Sequence, residues 1–342
     1  MLNIGVIGCG YWGPNLIRNL SFASRSRVIA CSDLDAGRLA HMQELYPHLR
    51  ATSDYTSILA DPDITAVAIA TPVSTHYKLA MDALRARKHV FVEKPLAQSS
   101  EQCMEMTAAA AERNLVLMVG HTFVYTAAVN KVRELIQSGD LGEILYINST
   151  RVNLGVFQPD INVVWDLAPH DISIMNYILD ARPERIAAHG RSYIRPGIED
   201  VAFLDLEYPN RVIANIHVSW LDPCKIRRTT VVGAKKMLVY DDVSSLEKIR
   251  VYDKGVSVPP HYDNFGEFKL SYRFGDILTP RLEEVEPLKV ECRHFVECVE
   301  THHRPRSTGE DGLAVVRVLE AASASLQDSS RLVDIAYPAL QD

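Results

Sequence analysis

Leu2-Asn3-Ile4-Gly5-Val6-Ile7-Gly8-Cys9-Gly10-Tyr11-Trp12-Gly13 opens the chain, and Asp33 follows twenty residues after the last of those glycines. A short apolar run reads as a buried strand, breaks into G-x-G-x-x-G and passes into a helical pattern, the arrangement that sets a pyrophosphate on a helix N-terminus. Gly8 permits the tight turn, Gly10 lets backbone approach phosphate, and Gly13 lets the next helix pack close to the strand. Asp33 ends a second apolar run, Val28-Ile29-Ala30-Cys31-Ser32. Its carboxylate suits the free 2'-hydroxyl of an adenosine ribose and repels a 2'-phosphate, so the stretch predicts NAD in preference to NADP. A lone glycine motif is weak; strand before, helix after and acid at this distance make it a dinucleotide site.

Beyond that stretch, 342 residues at 47% hydrophobic and 23% charged predict a globular chain of two domains. A net charge of -7 argues against nucleic acid as a partner. No apolar run reaches the length of a membrane span, and Met1 leads within one residue into a core strand, leaving no room for a signal segment. The expected location is the cytoplasm. Cys9, Cys31, Cys103, Cys224, Cys292 and Cys298 lack C-x-x-C spacing and read as free thiols.

Up to about residue 120, apolar runs alternate with helical patterns, which is how a doubly wound parallel sheet is written. The expected strands are Leu2 to Gly8, Val28 to Asp33, Arg50 to Thr52, Ala66 to Thr71, His89 to Lys94 and Leu115 to Gly120. Ser99 with Gln102 fits a capping box ahead of a helix to Arg113. Thr71-Pro72 and Lys94-Pro95 stand where strands stop, and in an open parallel sheet those carboxyl ends border the ligand crevice. Topology thus places Thr71, Glu93 and Lys94 beside the cofactor.

After Gly120 the runs shorten and alternate. In Arg211 to Trp220, Val212, Ala214, Ile216 and Val218 fall on one face, against Ile213, Asn215, His217 and Ser219 on the other. That suits a large, mostly antiparallel open sheet, its more polar face solvated or meeting a second subunit. The expected fold is therefore α/β: an N-terminal Rossmann domain over 1–121 and a C-terminal α+β domain over 122–342, whose last helices return to the first domain. Tyr252 to Pro280 reads as a long loop with a short strand.

A second informative stretch runs from Val163 to Leu179, and a helical winding puts Val164, Ala168, Ile172, Met175 and Leu179 on one side. Asp166, His170, Ser173 and Tyr177 lie nearly opposite, facing a cleft or water, with carboxylate and imidazole four residues apart. Pro169 predicts a helix that starts late. Taking hydride from an alcohol also requires a group to take the hydroxyl proton, and His170 oriented by Asp166, or Lys94, can do so near neutral pH. An exposed helical pair of no consequence is the competing reading. No third ligand stands at metal spacing, so no metal site is expected. His121 and Tyr125 lie beyond the sixth strand, and Arg151 and Asn153 near the end of the next one. All four are candidates to touch substrate, with Arg151 suited to a phosphate, and Trp165 is a stacking or packing surface for it.

These residues resemble the Gfo/Idh/MocA oxidoreductases. The match lies in Gly8-Cys9-Gly10-Tyr11-Trp12-Gly13, Asp33, Ala70-Thr71-Pro72 with His76, Glu93-Lys94-Pro95, Gly139-Asp140-Leu141-Gly142, and Asp166 with His170. The resemblance implies that Tyr11, Trp12, His76 and Pro95 join the glycines, Asp33, Thr71, Pro72, Glu93 and Lys94 around NAD. It also implies a Lys94-Pro95 bond that is often cis, Lys94 and the Asp166/His170 pair by the reacting carbon, and a homodimer or homotetramer formed through the C-terminal sheet. Val156 to Asn162 with Trp165 to Asp171 is similar to members acting on nucleotide-linked sugars, whereas many relatives carry an arginine where this chain has Phe123-Val124-Tyr125. The activity so implied is NAD-dependent oxidation of a ring hydroxyl, C3 of UDP-N-acetylglucosamine being the leading case, in amino-sugar or surface-polysaccharide biosynthesis. The alternatives are a ketosugar reductase or polyol dehydrogenase, and a non-catalytic dinucleotide sensor.

Overall fold

A computed structural model of the protein describes residues 1–155, 157, 158, 160–257 and 271–337. Val156 and Pro159 of the sugar-like motif, and the middle of the Tyr252 to Pro280 segment, lie outside the described residues. The chain divides into two compact units, residues 1–126 with 285–320, and residues 127–284 with 321–342.

In the first unit, strands Leu2–Ile7 (β1), Ser26–Ser32 (β2), Arg50–Thr52 (β3), Ala66–Ile69 (β4), His89–Glu93 (β5) and Leu117–Gly120 (β6) pair in parallel in the order β3-β2-β1-β4-β5-β6. The order reverses beside β1, which is where an open α/β sheet leaves its ligand crevice. Val90, Phe91 and Val92 of β5 are buried on both faces, as central parallel strands are. The helices are Gly13–Phe22 (α1), Ala36–Leu45 (α2), Thr56–Leu59 (α3), Val73–Arg85 (α4) and Ser100–Glu112 (α5). Ser99 caps α5 by accepting from the Gln102 N–H at 3.2 Å, and Gln102 reaches back to the Gln98 N–H at 3.2 Å, one residue further out than the expected box.

The second unit begins with helix Ala127–Gln137 (α6) and carries helix Val163–Leu179 (α7). Its strands are Ile144–Leu154 (β7), Arg185–Arg191 (β8), Val201–Glu207 (β9), Ile213–Ser219 (β10), Leu221–Gly233 (β11), Met237–Asp241 (β12), Ile249–Ser257 (β13), Ser271–Leu278 (β14) and Val333–Asp334 (β15). Among the described residues they form one sheet, β14-β13-β12-β11-β7-β10-β9-β8-β15, antiparallel except where β7 meets β10. Val212, Ala214, Ile216 and Val218 are buried, as their alternation predicts. Two expectations are corrected. The Tyr252 to Pro280 segment, expected to be a long loop with one short strand, carries strand at both of its described ends, the antiparallel pair β13 and β14. And α7 does not start late: Asn162 caps it by accepting from the Trp165 N–H at 3.1 Å, leaving Pro169 inside the helix. A strong cap and four apolar positions against the sheet outweigh one missing backbone donor.

Helices Pro287–Thr301 (α8) and Gly309–Gln327 (α9) follow β14; α8 and most of α9 belong to the first unit. Within that unit Phe91 of β5 meets Phe295 of α8 edge-on, ring centres 5.8 Å apart. No helix among the described residues is long and apolar enough to cross a membrane.

Candidate active site

The first unit builds a dinucleotide cradle. Gly8 stands at φ +97°, and a Cβ there would lie 2.6 Å from the Ala70 carbonyl oxygen; one on Gly13 would strike the Gly8 carbonyl. A Cβ on Gly10 would meet only the Arg38 guanidinium, at 3.7 Å, so its bareness serves something other than packing within the chain. Asp33 receives the Cys9 N–H on Oδ2 at 2.7 Å and the Asp35 N–H on Oδ1 at 2.9 Å, which fixes its carboxylate beside the glycine loop. Arg38 Nη1 stands 3.6 Å from that carboxylate. Tyr11 and Trp12 are exposed at the same loop, edge to face.

At the ends of β5 and β6, Glu93 is buried, and the Lys94 N–H donates to its Oε2 at 3.3 Å. Burial pushes the Glu93 carboxyl up to about 7, opposed by the Lys94 charge. The Lys94-Pro95 bond is cis. His121 is buried, and burial with the Lys94 charge pulls its imidazole down to about 4.

In the second unit, α7 presents Asp166 and His170, both partly exposed. Trp220, buried just after β10, donates from Nε1 to Asp166 Oδ2 at 3.0 Å. Its backbone is held by Asp200 and Gly155, and its ring packs on Phe157. The carboxylate that was expected to orient His170 is thus itself anchored by an indole.

Such a glycine cradle with an acid at the next strand end fits a dinucleotide, and the comparisons agree. The family model described as "Oxidoreductase family, NAD-binding Rossmann fold" matches residues 2–121, and the GFO/IDH/MocA C-terminal domain matches residues 129–239. The chain belongs to the Gfo/Idh/MocA oxidoreductase family. Inositol 2-dehydrogenase 2 of Saccharopolyspora erythraea is 34% identical over 224 residues, 64% of this chain and 66% of that one. UDP-N-acetylglucosamine 3-dehydrogenase of Acidithiobacillus ferrooxidans is 28% identical over 325 residues, 94% of this chain and 95% of that one. The fold is shared with an oxidoreductase from Agrobacterium radiobacter solved with NAD+, L-tartaric acid and magnesium, at TM-score 0.82 and 20% identity over 98% of both chains.

In this NAD-binding oxidoreductase, several expected site residues are hydrogen-bonded within the protein. His76, expected at the cofactor, is buried, with Nδ1 2.9 Å from the Pro95 carbonyl and Nε2 2.8 Å from the Thr71 carbonyl. It fastens the turn carrying Lys94 to the turn after β4. Burial lowers its basicity while the two carbonyls act the other way. Tyr125 is buried with its hydroxyl 2.9 Å from Ser307 Oγ, and so is not open to substrate. Arg151, read as a phosphate clamp, is buried in a two-point pair with Asp171, Nε to Oδ2 at 2.6 Å and Nη2 to Oδ1 at 3.3 Å. Of the polar stripe on α7, Ser173 is buried and bonds back to the His170 carbonyl, and Tyr177 bonds Asn130 of α6 at 2.7 Å. Trp165 donates to Ser323 at 3.0 Å. Asn153 is partly exposed near the end of β7, its amide beside Gly155. Among the described residues no group of three or more His, Cys, Asp or Glu side chains is placed to hold a metal ion. Sequence reasoning missed Trp220, because its partner Asp166 lies 54 residues away in the chain.

The Asp33 geometry gives a direct test. Asp33→Ser removes the charge that repels a 2'-phosphate and leaves Arg38 in place to receive one, so the NADP/NAD affinity ratio is expected to rise about tenfold or more. Quenching of Trp12 fluorescence by each cofactor reads this ratio. An unchanged ratio would mean that the ribose is read elsewhere.

Proposed function

We propose that the protein oxidises a ring hydroxyl of a nucleotide-activated sugar with NAD, C3 of UDP-N-acetylglucosamine being the substrate position of choice. What carries this reading is the 28% identity to the UDP-N-acetylglucosamine 3-dehydrogenase, sustained over 325 residues and hence through both units. Bound at the glycine loop and Asp33, NAD supplies a hydride acceptor. The chain supplies the rest. Gly8, Gly10 and the N-terminus of α1 hold the pyrophosphate, and Lys94 or His170 takes the hydroxyl proton, which must leave as the carbonyl forms. Asp166, anchored by Trp220, orients His170. The reading includes a cytoplasmic setting, in which six free thiols persist. It also includes self-association through the open face of the nine-stranded sheet, where Tyr146, Phe203 and Ile213 stand exposed.

A second reading, oxidation of a free cyclic polyol, is favoured by the higher identity, 34%, to the inositol 2-dehydrogenase over a shorter span. NADH formation from UDP-N-acetylglucosamine and from myo-inositol separates the two. Activity on the UDP-sugar supports the first reading, and activity on inositol alone rejects it.

A further inference from the structure

Around the end of β5, next to Lys94 in the chain, the first unit buries several ionisable side chains. Glu93, His121 and Glu291 are buried at 7%, 2% and 0% exposure. Glu93 ends β5 opposite Gly120 of β6, where a Cβ would come within 3.0 Å of Glu93 Oε2. His121 follows Gly120, and Glu291 comes from α8, its Oε2 accepting from Thr122 Oγ1 at 2.7 Å. Among the described residues, Glu93 Oε1, Glu291 Oε1 and both ring nitrogens of His121 have no hydrogen-bond partner. Orphaned buried atoms are rare and call for a cause.

The donor count supplies one. Burial, reinforced by the Glu93 charge, raises Glu291 well above the usual carboxyl range, which favours its protonated form. Neutral His121 has one N–H and one lone pair, and Glu93 as carboxylate only accepts. The four orphans then comprise two donors, the Glu291 hydroxyl and the His121 N–H, and two acceptors, the other His121 nitrogen and Glu93 Oε1. They form a matched complement of the kind that internal water bridges in proteins. The titratable neighbours do not exchange protons near neutrality: burial first, and then nearby carboxylates, hold the Tyr125 and Cys292 protons in place. The Lys94 charge acts on Glu93 and on His121, so the set stands within electrostatic reach of that ammonium.

We propose that Glu93, His121 and Glu291 form a closed proton store beside Lys94, which takes in the proton released by the substrate hydroxyl and returns it when the reaction runs backwards. The inference rests on the reading of Lys94 as part of the reacting centre. The balance is simple. The C–H electron pair leaves as hydride to the cofactor, the O–H bond breaks as the carbonyl forms, and the proton passes through the reacting base to the Glu93 carboxylate. Glu291 and His121 are positioning residues: they complete the hydrogen bonds that let a buried Glu93 change charge.

Infrared spectra of the NAD-bound protein across the neutral pH range test the store without turnover. A protonated-carboxyl carbonyl band is expected to persist throughout and to vanish in Glu291→Gln. A second such band is expected to titrate near 7 and to vanish in Glu93→Gln. Spectra with carboxylate bands only, or bands indifferent to both substitutions, overturn the proposal. The wild-type protein gives an independent measure: in the first turnover, a pH indicator should report solvent proton release lagging behind NADH, and simultaneous release overturns the proposal. If neither the UDP-sugar nor inositol yields NADH, the functional reading fails, while the infrared result still decides the store.

Discussion

Lys94→Ala and His170→Ala are each expected to lower kcat/KM by about 10²-fold or more while the Kd for NAD stays at the wild-type value. A hundredfold loss is about 2.7 kcal/mol of transition-state stabilisation. It is expected because hydride cannot leave a carbinol without its hydroxyl proton going elsewhere, and these two side chains are the groups assigned to receive it. Lys94 is the more constrained. Its N–H is bonded to Glu93, and His76 ties the next carbonyl to the β4 turn. His170 sits on α7, four residues past the Asp166 that Trp220 anchors. Steady-state rates with the UDP-sugar give kcat/KM, and Trp12 quenching gives the cofactor Kd. If both residues act on the same proton, the double variant loses little more than the worse single one, since groups acting as a unit are non-additive. Wild-type rates in both single variants remove both residues from the chemistry.

What the sequence made legible was local. The glycine loop, Asp33 and the strand-end prolines could be read because each constraint involves neighbours along the chain: a positive φ, a helix start, a carboxyl end. Period-two alternation likewise identified the buried face of β10. Three things were not legible, each for a physical reason. The pair β13 and β14 carries Tyr272, Phe274 and Ile277 exposed, so no buried stripe marks β14 as a strand. The start of α7 turned on a contest between Asn162 as cap and Pro169 as breaker, and tertiary packing decided it. Tyr125 and Arg151 looked like substrate ligands because a polar side chain at a strand end has two possible fates, and their partners, Ser307 and Asp171, come from other elements. Glu291 was invisible for the same reason, as nothing near it in the chain announces Glu93.

Arg151→Ala is expected to lower stability by about 3–5 kcal/mol, the cost of breaking a buried ion pair from one side. The magnitude follows from burial. The two side chains are 4% and 2% exposed, so removing the guanidinium leaves the Asp171 carboxylate away from water with the neutral Ser149 hydroxyl, at 2.7 Å, still donating to it. Urea unfolding followed by a probe in the second unit reads this as a lowered midpoint, while the NAD affinity of the first unit is unchanged. Replacing both partners, Arg151→Met with Asp171→Leu, should recover most of the loss, because the penalty belongs to the abandoned charge rather than to the absence of an attraction. Arg151→Lys should fall between, keeping the charge without the two-point fork. A loss below about 1 kcal/mol for Arg151→Ala would put the pair in the range of exposed ion pairs. That outcome would mean that the pair with Asp171 is not what makes Arg151 matter to stability.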